Sequence, residues 1–101
     1  MVPGDGVNAV FELLLGMNRG RYFLYTAQTI GAQQALDLGL VNELHPKDKA
    51  LPRAWEHART LMKQNAMNRR YTRALLIEPL RRKMNEILGY GLAVEGLVIC
   101  Q

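Results

Sequence analysis

The chain has 101 residues, of which 49% are hydrophobic and 22% charged, values that are typical of one globular domain and exclude intrinsic disorder and collagen-like repeats. Its single cysteine, Cys100, excludes an internal disulfide and favours a reducing, cytoplasmic location. We expect neither a secretory signal nor a membrane span, because no apolar run reaches roughly 18 residues. The net charge of +4 is concentrated in residues 69–83, a basic block that indicates either an anionic partner or a solvated helix face.

Three short helices are predicted in the N-terminal part of the chain. Apolar residues at helical spacing predict a helix over residues 7–15. Asn18 can cap a second helix that continues to about Tyr25. A third helix is predicted over residues 32–38, because Gly39 stands at the position that glycine favours after a helix end.

The segment 40–44 follows these helices and alternates apolar and polar residues between Gly39 and Pro46. This pattern predicts a short strand or an extended segment. A lone strand leaves its backbone groups without partners, so a strand here would pair outside this sequence. The pattern therefore indicates a part of a larger fold.

Long helices are predicted in the C-terminal part. Apolar residues recur at helical spacing over residues 48–64, where Pro52 is tolerated only in the first turn. A further helix is predicted over 67–77. Pro79 either begins a last helix over 79–96 or kinks one long helix. The predicted fold is mainly α, with five or six helices and at most one or two short strands.

Two acidic residues are the candidate catalytic groups. Asp5 lies in a Pro-Gly-Asp-Gly turn before the first helix, where glycines allow close approach of a ligand and the helix N-terminus favours a carboxylate. Glu95 lies seven residues after Leu88 and eleven after Met84, on the same apolar helix face. Burial there disfavours the charged form of an acid, which suits proton transfer. The alternatives are helix capping by Asp5 and a frayed last turn that carries Glu95 into solvent.

The other residues that could carry chemistry form no recognisable site. His45 and His57 are twelve residues apart, outside usual metal-ligand spacing, and are expected in a loop and on a helix surface. Cys100 has no base near it in the sequence. We therefore expect no metal, no cofactor and, with one tyrosine in the basic block, no nucleic acid.

Several motifs occur in a characteristic order. They are Pro3-Gly4-Asp5-Gly6, the segment 19–24 and the segment 32–43. Together they resemble the crotonase superfamily, which contains the enoyl-CoA hydratases and isomerases. The segments 69–71 and 92–95 resemble more specifically the β-diketone hydrolases related to 6-oxocamphor hydrolase.

The resemblance covers about residues 2–96 and implies a helical C-terminal portion of a crotonase-like fold. Residues 1–101 would then form a single partial domain without the N-terminal β-spiral part. Family members are much longer, and that preceding part supplies the backbone oxyanion hole and further catalytic residues. A shortened or frame-shifted gene is one expectation for the chain's origin.

The resemblance also implies that Asp5 and Glu95 belong to the active site and act with histidines of the preceding part. His45 and His57 do not match those histidines. Asn8 stands where a histidine is expected in the hydrolases. We therefore expect the isolated chain to be inactive.

Three functions remain open from the sequence. The first is a portion of an enzyme that hydrolyses a C–C bond of a cyclic β-diketone. The second is a portion of an enoyl-CoA hydratase or isomerase. The third is a non-catalytic helical module that forms homo-oligomers, because the resemblance implies that this part of the fold builds trimers. A CoA ester would place its phosphates on bases of the basic block, namely Arg69, Arg70, Arg73, Arg81, Arg82 and Lys83. Apolar faces expected to self-associate carry Val10, Phe11, Leu14, Leu88 and Leu92.

Overall fold

The structure is a computed structural model that describes residues 2–100, and these residues form five helices. They are α1 (Val7–Leu15), α2 (Met17–Tyr25), α3 (Ala32–Asp37), α4 (Lys47–Met62) and α5 (Ala66–Ile99). Within the described part no strand is formed. The predicted mainly α architecture is confirmed.

Of the two alternatives predicted for residues 40–44, a short strand or an extended segment, the strand is wrong. These residues form an irregular connection between α3 and α4, and its start is fixed by the end of α3. Gly39 adopts a positive φ of 75°, and the backbone N–H of Leu40 donates to the carbonyl of Ala35 at 2.8 Å. This glycine-based helix end satisfies carbonyl groups of α3.

Helix α5 is continuous through Pro79. Of the two alternatives, a separate helix beginning at Pro79 is therefore wrong, and one long helix is formed. The helix begins at Asn65, whose side chain accepts hydrogen bonds from the backbone N–H groups of Met67 and Asn68. Proline inside a helix costs about 3 kcal/mol, since it removes one hydrogen bond and crowds the preceding turn. In α5 the helical turns on both sides, together with packing of the C-terminal half against α1, maintain the helix.

Helix α1 is the centre of the packing, because it contacts both α2 and α5. Ala9 is completely buried, and the ring of Phe11 stacks on that of Phe23 with centroids 4.6 Å apart. The carboxylate of Glu12 faces Arg21 of α2 at 3.4 Å and Lys83 of α5 at 3.9 Å. One apolar stack and one ionic bridge therefore join the three helices.

The turn before α1 reaches α5 through two glycines. A Cβ atom on Gly91 would lie 2.6 Å from the carbonyl oxygen of Gly4, and one on Gly4 would collide with the carbonyl oxygen of Gly91. Both glycines are buried. The two backbones can approach this closely only because neither residue has a side chain.

We expect Gly91→Ala to lower the free energy of unfolding by about 1–3 kcal/mol, because the new methyl group forces the turn away from α5. Gly89→Ala is the matched control in the same helix, since a Cβ there meets nothing within 4 Å. That control should gain up to about 1 kcal/mol from helix propensity. Urea unfolding followed by circular dichroism measures both. Equal stabilisation by the two substitutions would contradict the close contact.

Candidate functional site

Asp5 lies exposed in the turn before α1. Its Oδ1 accepts a hydrogen bond from the backbone N–H of Val7 at 3.3 Å. The N-cap residue of α1 is Gly6 and not Asp5, so Asp5 contacts the start of α1 from the position before the cap. Gly6 follows with a φ of 108° and is buried beneath Met84 of α5. The second carboxylate oxygen of Asp5 has no hydrogen-bond donor among residues 2–100.

Glu95 is half-buried on the face of α5 that meets the turn. Helix α5 continues to Ile99, so the alternative of a frayed turn at Glu95 is wrong. A Cβ atom on Gly4 would lie 2.9 Å from the Cβ of Glu95. The backbone of the turn therefore rests directly beside this glutamate.

The structure thus brings the segments that carry Asp5 and Glu95 together, although the two residues are ninety positions apart in the sequence. Asp5 follows Gly4, the residue in contact with Gly91 and Glu95. One carboxyl group is exposed and the other half-buried.

Asn8, where a histidine was expected from the resemblance, lies in the first turn of α1. Its Oδ1 atom is buried and has no hydrogen-bond partner among residues 2–100. An unpaired buried acceptor is rare in folded proteins and costs stability. Asn8 is therefore an unsatisfied polar group close to the Asp5 turn.

The two histidines lie in a different part of the chain, as the sequence indicated, but not as isolated surface residues. Both contact the carboxylate of Glu43, His45 at 2.7 Å and His57 at 3.1 Å. Arg53 donates to the same carboxylate through Nε at 2.8 Å and Nη2 at 3.0 Å. Hydrogen bonds from Arg53, and then from His45, hold the pKa of the Glu43 carboxyl well below its usual range.

We call these four residues, Glu43, His45, Arg53 and His57, the Glu43 cluster. The hydrogen bonds that Arg53 donates to Glu43 and to Glu56 raise the pKa of its guanidinium group. Sequence reasoning missed the cluster. The only available signal was the spacing of Arg53 and His57, which places both on one face of α4.

Most of the basic block is engaged with groups of the same chain. Arg69 donates to the backbone carbonyls of Leu61 and Gln64, Arg81 and Arg82 face Glu78, and Lys83 faces Glu12. Arg70 and Arg73 have no ion-pair partner in the described part of the chain and border a groove between α4 and α5.

Residues 2–100 contain no group of three side chains that could hold a metal ion. Over the same residues, no helix combines the length and apolar character needed to cross a membrane.

The sequence model of the enoyl-CoA hydratase/isomerase family matches residues 1–93. The fold is similar to that of a β-diketone hydrolase from the cyanobacterium Anabaena, solved with (S)-3-oxocyclohexyl acetic acid bound. The similarity has a TM-score of 0.92 and 54% sequence identity, and it covers 95% of this chain and 38% of that chain.

Two curated proteins are more distant relatives. An enoyl-CoA isomerase/hydratase of Mycosarcoma maydis is 32% identical over 62 residues, which are 61% of this chain and 23% of that protein. A hydroxycinnamoyl-CoA hydratase-lyase of Pseudomonas fluorescens is 33% identical over 63 residues, 62% of this chain and 23% of that protein. The chain therefore spans less than half the length of each of these proteins.

We expect Asn8→Leu to raise the free energy of unfolding by about 1–3 kcal/mol, because a branched apolar side chain of similar shape replaces an unpaired buried oxygen. Asn18→Leu in the exposed first turn of α2 is the control and should change stability little. Thermal unfolding of the three chains measures the effect. A lower unfolding temperature for Asn8→Leu than for Asn18→Leu would mean that the Asn8 amide has a hydrogen-bond partner.

Proposed function

Since the chain belongs to the enoyl-CoA hydratase/isomerase family, we propose that it carries part of the active site of a β-diketone hydrolase, which cleaves a C–C bond of a cyclic 1,3-diketone. The observation that carries this proposal is the 54% identity to the Anabaena hydrolase over 95% of the chain. The relatives with CoA in their names are 32–33% identical over about 60% of it.

The chain corresponds to a minor part of those proteins, 38% of the hydrolase and 23% of the curated relatives. We therefore place the remaining catalytic groups outside this sequence. They are donors for the oxyanion and the histidines that the resemblance implies. The segment described here would contribute Asp5 and Glu95.

The proposed reaction begins when water adds to one carbonyl of the 1,3-diketone and loses a proton. The bond between that carbon and the central carbon then breaks, and its electron pair forms an enolate while the hydrated carbon becomes a carboxyl group. The enolate finally takes up a proton at carbon. The negative charge on oxygen requires fixed donors, and the two proton transfers require groups that can both accept and release a proton.

Asp5 and Glu95 suit these proton transfers because of where they lie. The half-buried Glu95 has no hydrogen bond or ion pair among residues 2–100, so its carboxyl group is available to a substrate. Asp5 is held at the start of α1 by Val7, and the residue is exposed. We assign proton transfer to Glu95 and orientation of water or substrate to Asp5.

A CoA ester is the second candidate substrate class, favoured by the family itself and by the two curated relatives. The contacts of the basic block support it less, because only Arg70 and Arg73 of the six bases are without partners in the described part. Calorimetric titration with CoA at low and moderate salt separates the two candidates. Heat of binding that persists at moderate salt would favour the CoA ester, since a purely ionic contact is screened there.

We also propose that the chain self-associates. Leu14 and Leu92, two of the residues expected on associating faces, are about half exposed. The ring of Phe11, by contrast, stacks on Phe23 within the chain. Exposed apolar patches of this kind mark protein interfaces. Light scattering at increasing concentration should show a mass above 11.4 kDa, and a constant monomer mass would refute the proposal.

In an enzyme completed with the remaining family segment, Glu95→Gln should lower kcat on the order of 10²-fold, since general acid–base groups contribute about this much or more. Asp5→Asn should also slow turnover. Glu86→Gln on the exposed face of α5 is the matched control and should leave kcat unchanged. Cleavage of a bicyclic 1,3-diketone, followed by loss of its absorbance, measures all three.

The same assay on the isolated chain should show no turnover over hours, because the oxyanion donors are absent from the proposed site and one such donor alone is worth roughly 10²–10³ in rate. Turnover by the isolated chain that disappears in Glu95→Gln would overturn the division of the active site proposed here. Unchanged kcat in the completed Glu95→Gln enzyme would overturn the role of Glu95.

A further inference from the structure

Helix α4 is positioned by different contacts from those of α1, α2 and α5. Helix α1 packs against α2 and α5, whereas α4 has no comparable packing with another helix among residues 2–100. Its large apolar side chains remain exposed, Leu51 by 67%, Trp55 by 55% and Met62 by 72%. Polar contacts, and not a shared apolar core, must therefore set its position.

The C-terminal end of α4 is tied to α5. Arg69 donates through one Nη1 atom to the carbonyls of Leu61 at 2.9 Å and Gln64 at 3.0 Å. Positive side chains suit this end of a helix, where carbonyl groups are unpaired. This contact holds the connection between α4 and α5 in place, but it does not determine the direction of α4 relative to α3.

The Glu43 cluster contacts the middle of α4, through Arg53 and His57. Oε2 of Glu43 accepts hydrogen bonds from Nε of Arg53 and from His45, and Oε1 accepts from Nη2 of Arg53 and from His57. The arginine contact is bidentate, the strongest and most directional form of such a pair. Because an ionised carboxylate only accepts hydrogen bonds, the Nε2 atom of each imidazole carries the hydrogen in these contacts.

The start of the connecting segment is fixed as well. The hydrogen bond from Leu40 to Ala35 ties it to the end of α3, and Glu43 follows three residues later. The end of α3, the connecting segment, Glu43 and α4 thus form a continuous series of contacts. We infer that Glu43 is a latch that fixes the direction of α4 relative to α3.

The charged groups that face the latch are those of the cluster and Glu56, which accepts from Nη1 of Arg53 at 2.8 Å. Glu56 belongs to α4 itself, so its contact joins α4 to nothing else. Glu43 and Glu56 share the same arginine, and only Glu43 crosses from the connecting segment to the helix. Glu56→Gln is therefore a matched control for Glu43→Gln.

The latch should remain closed in mild acid. The lowered pKa of Glu43 means that its folded carboxyl group stays ionised at pH 4.5, close to the pH at which an ordinary glutamate is half protonated. The contribution of a group with a lowered pKa is present above its unfolded pKa and is lost only as the pH falls through the folded one. Opening is thus expected well below pH 4.5.

Distances between spin labels test the latch in the full chain with Cys100→Ser, labelled at Gln34→Cys on α3 and Arg59→Cys on α4, both exposed positions. The parent and Glu56→Gln should give one narrow distance peak at pH 7 and at pH 4.5. Glu43→Gln should lose that peak and give a broad distribution at both pH values. Far-UV circular dichroism checks that the helix content is unchanged.

Arg53→Lys supplies a second variant if Glu43→Gln loses helix content. It keeps the positive charge but removes the bidentate geometry, so it should broaden the distribution to an intermediate width. A narrow peak in both Glu43→Gln and Arg53→Lys would overturn the inference. Equal broadening by Glu56→Gln, or a parent distribution that becomes broad at pH 4.5, would overturn it as well.

Discussion

The turn that carries Asp5 rests on α5 because neither Gly4 nor Gly91 has a side chain. The backbones come so close that a methyl group on either glycine would overlap with a carbonyl oxygen. The same contact sets the position of Gly4 beside the Cβ of Glu95 and of Gly6 beneath Met84. The start of α1, the packing of α1 on α5 and the juxtaposition of the two acidic segments all depend on this approach.

The rest of the chain is held by few apolar contacts. Ala9 is the one completely buried apolar side chain among residues 2–100, and Leu75 and Leu76 on α5 are each 75% exposed. A longer chain buries a larger fraction of its surface, and the similar hydrolase is more than twice as long. Polar contacts, among them the Glu12 bridge and the Glu43 cluster, join the elements of this segment beside its small apolar core.

Local sequence rules were sufficient for α1 to α4 and for one feature of the site. Gly39 predicted the end of α3, and the helical period correctly placed Glu95 on the face of Met84 and Leu88. These features depend only on neighbouring residues. The strand over 40–44 was wrong, because the Leu40 hydrogen bond that ends α3 outweighs a short alternating pattern.

Features that depend on distant contacts could not be predicted. The continuity of α5 through Pro79 accompanies its contact with α1, a contact between distant parts of the sequence. The contact between Gly4 and Gly91 and the four donors on Glu43 join residues from separate segments. The sequence contains each of these residues, but spacing alone does not show that the segment carrying Glu43 contacts α4. It also does not show that the turn carrying Gly4 packs on the C-terminal part of α5.

A double-mutant cycle in the completed enzyme tests most directly whether Asp5 and Glu95 act as one catalytic unit. The quantity to measure is kcat/KM for a bicyclic 1,3-diketone in the parent, Asp5→Asn, Glu95→Gln and the double variant. Residues that act as a unit are strongly non-additive, so the double variant should be little slower than the slower single variant. A double variant whose loss equals the product of the two single losses would show that the carboxyl groups act independently, and would contradict this account.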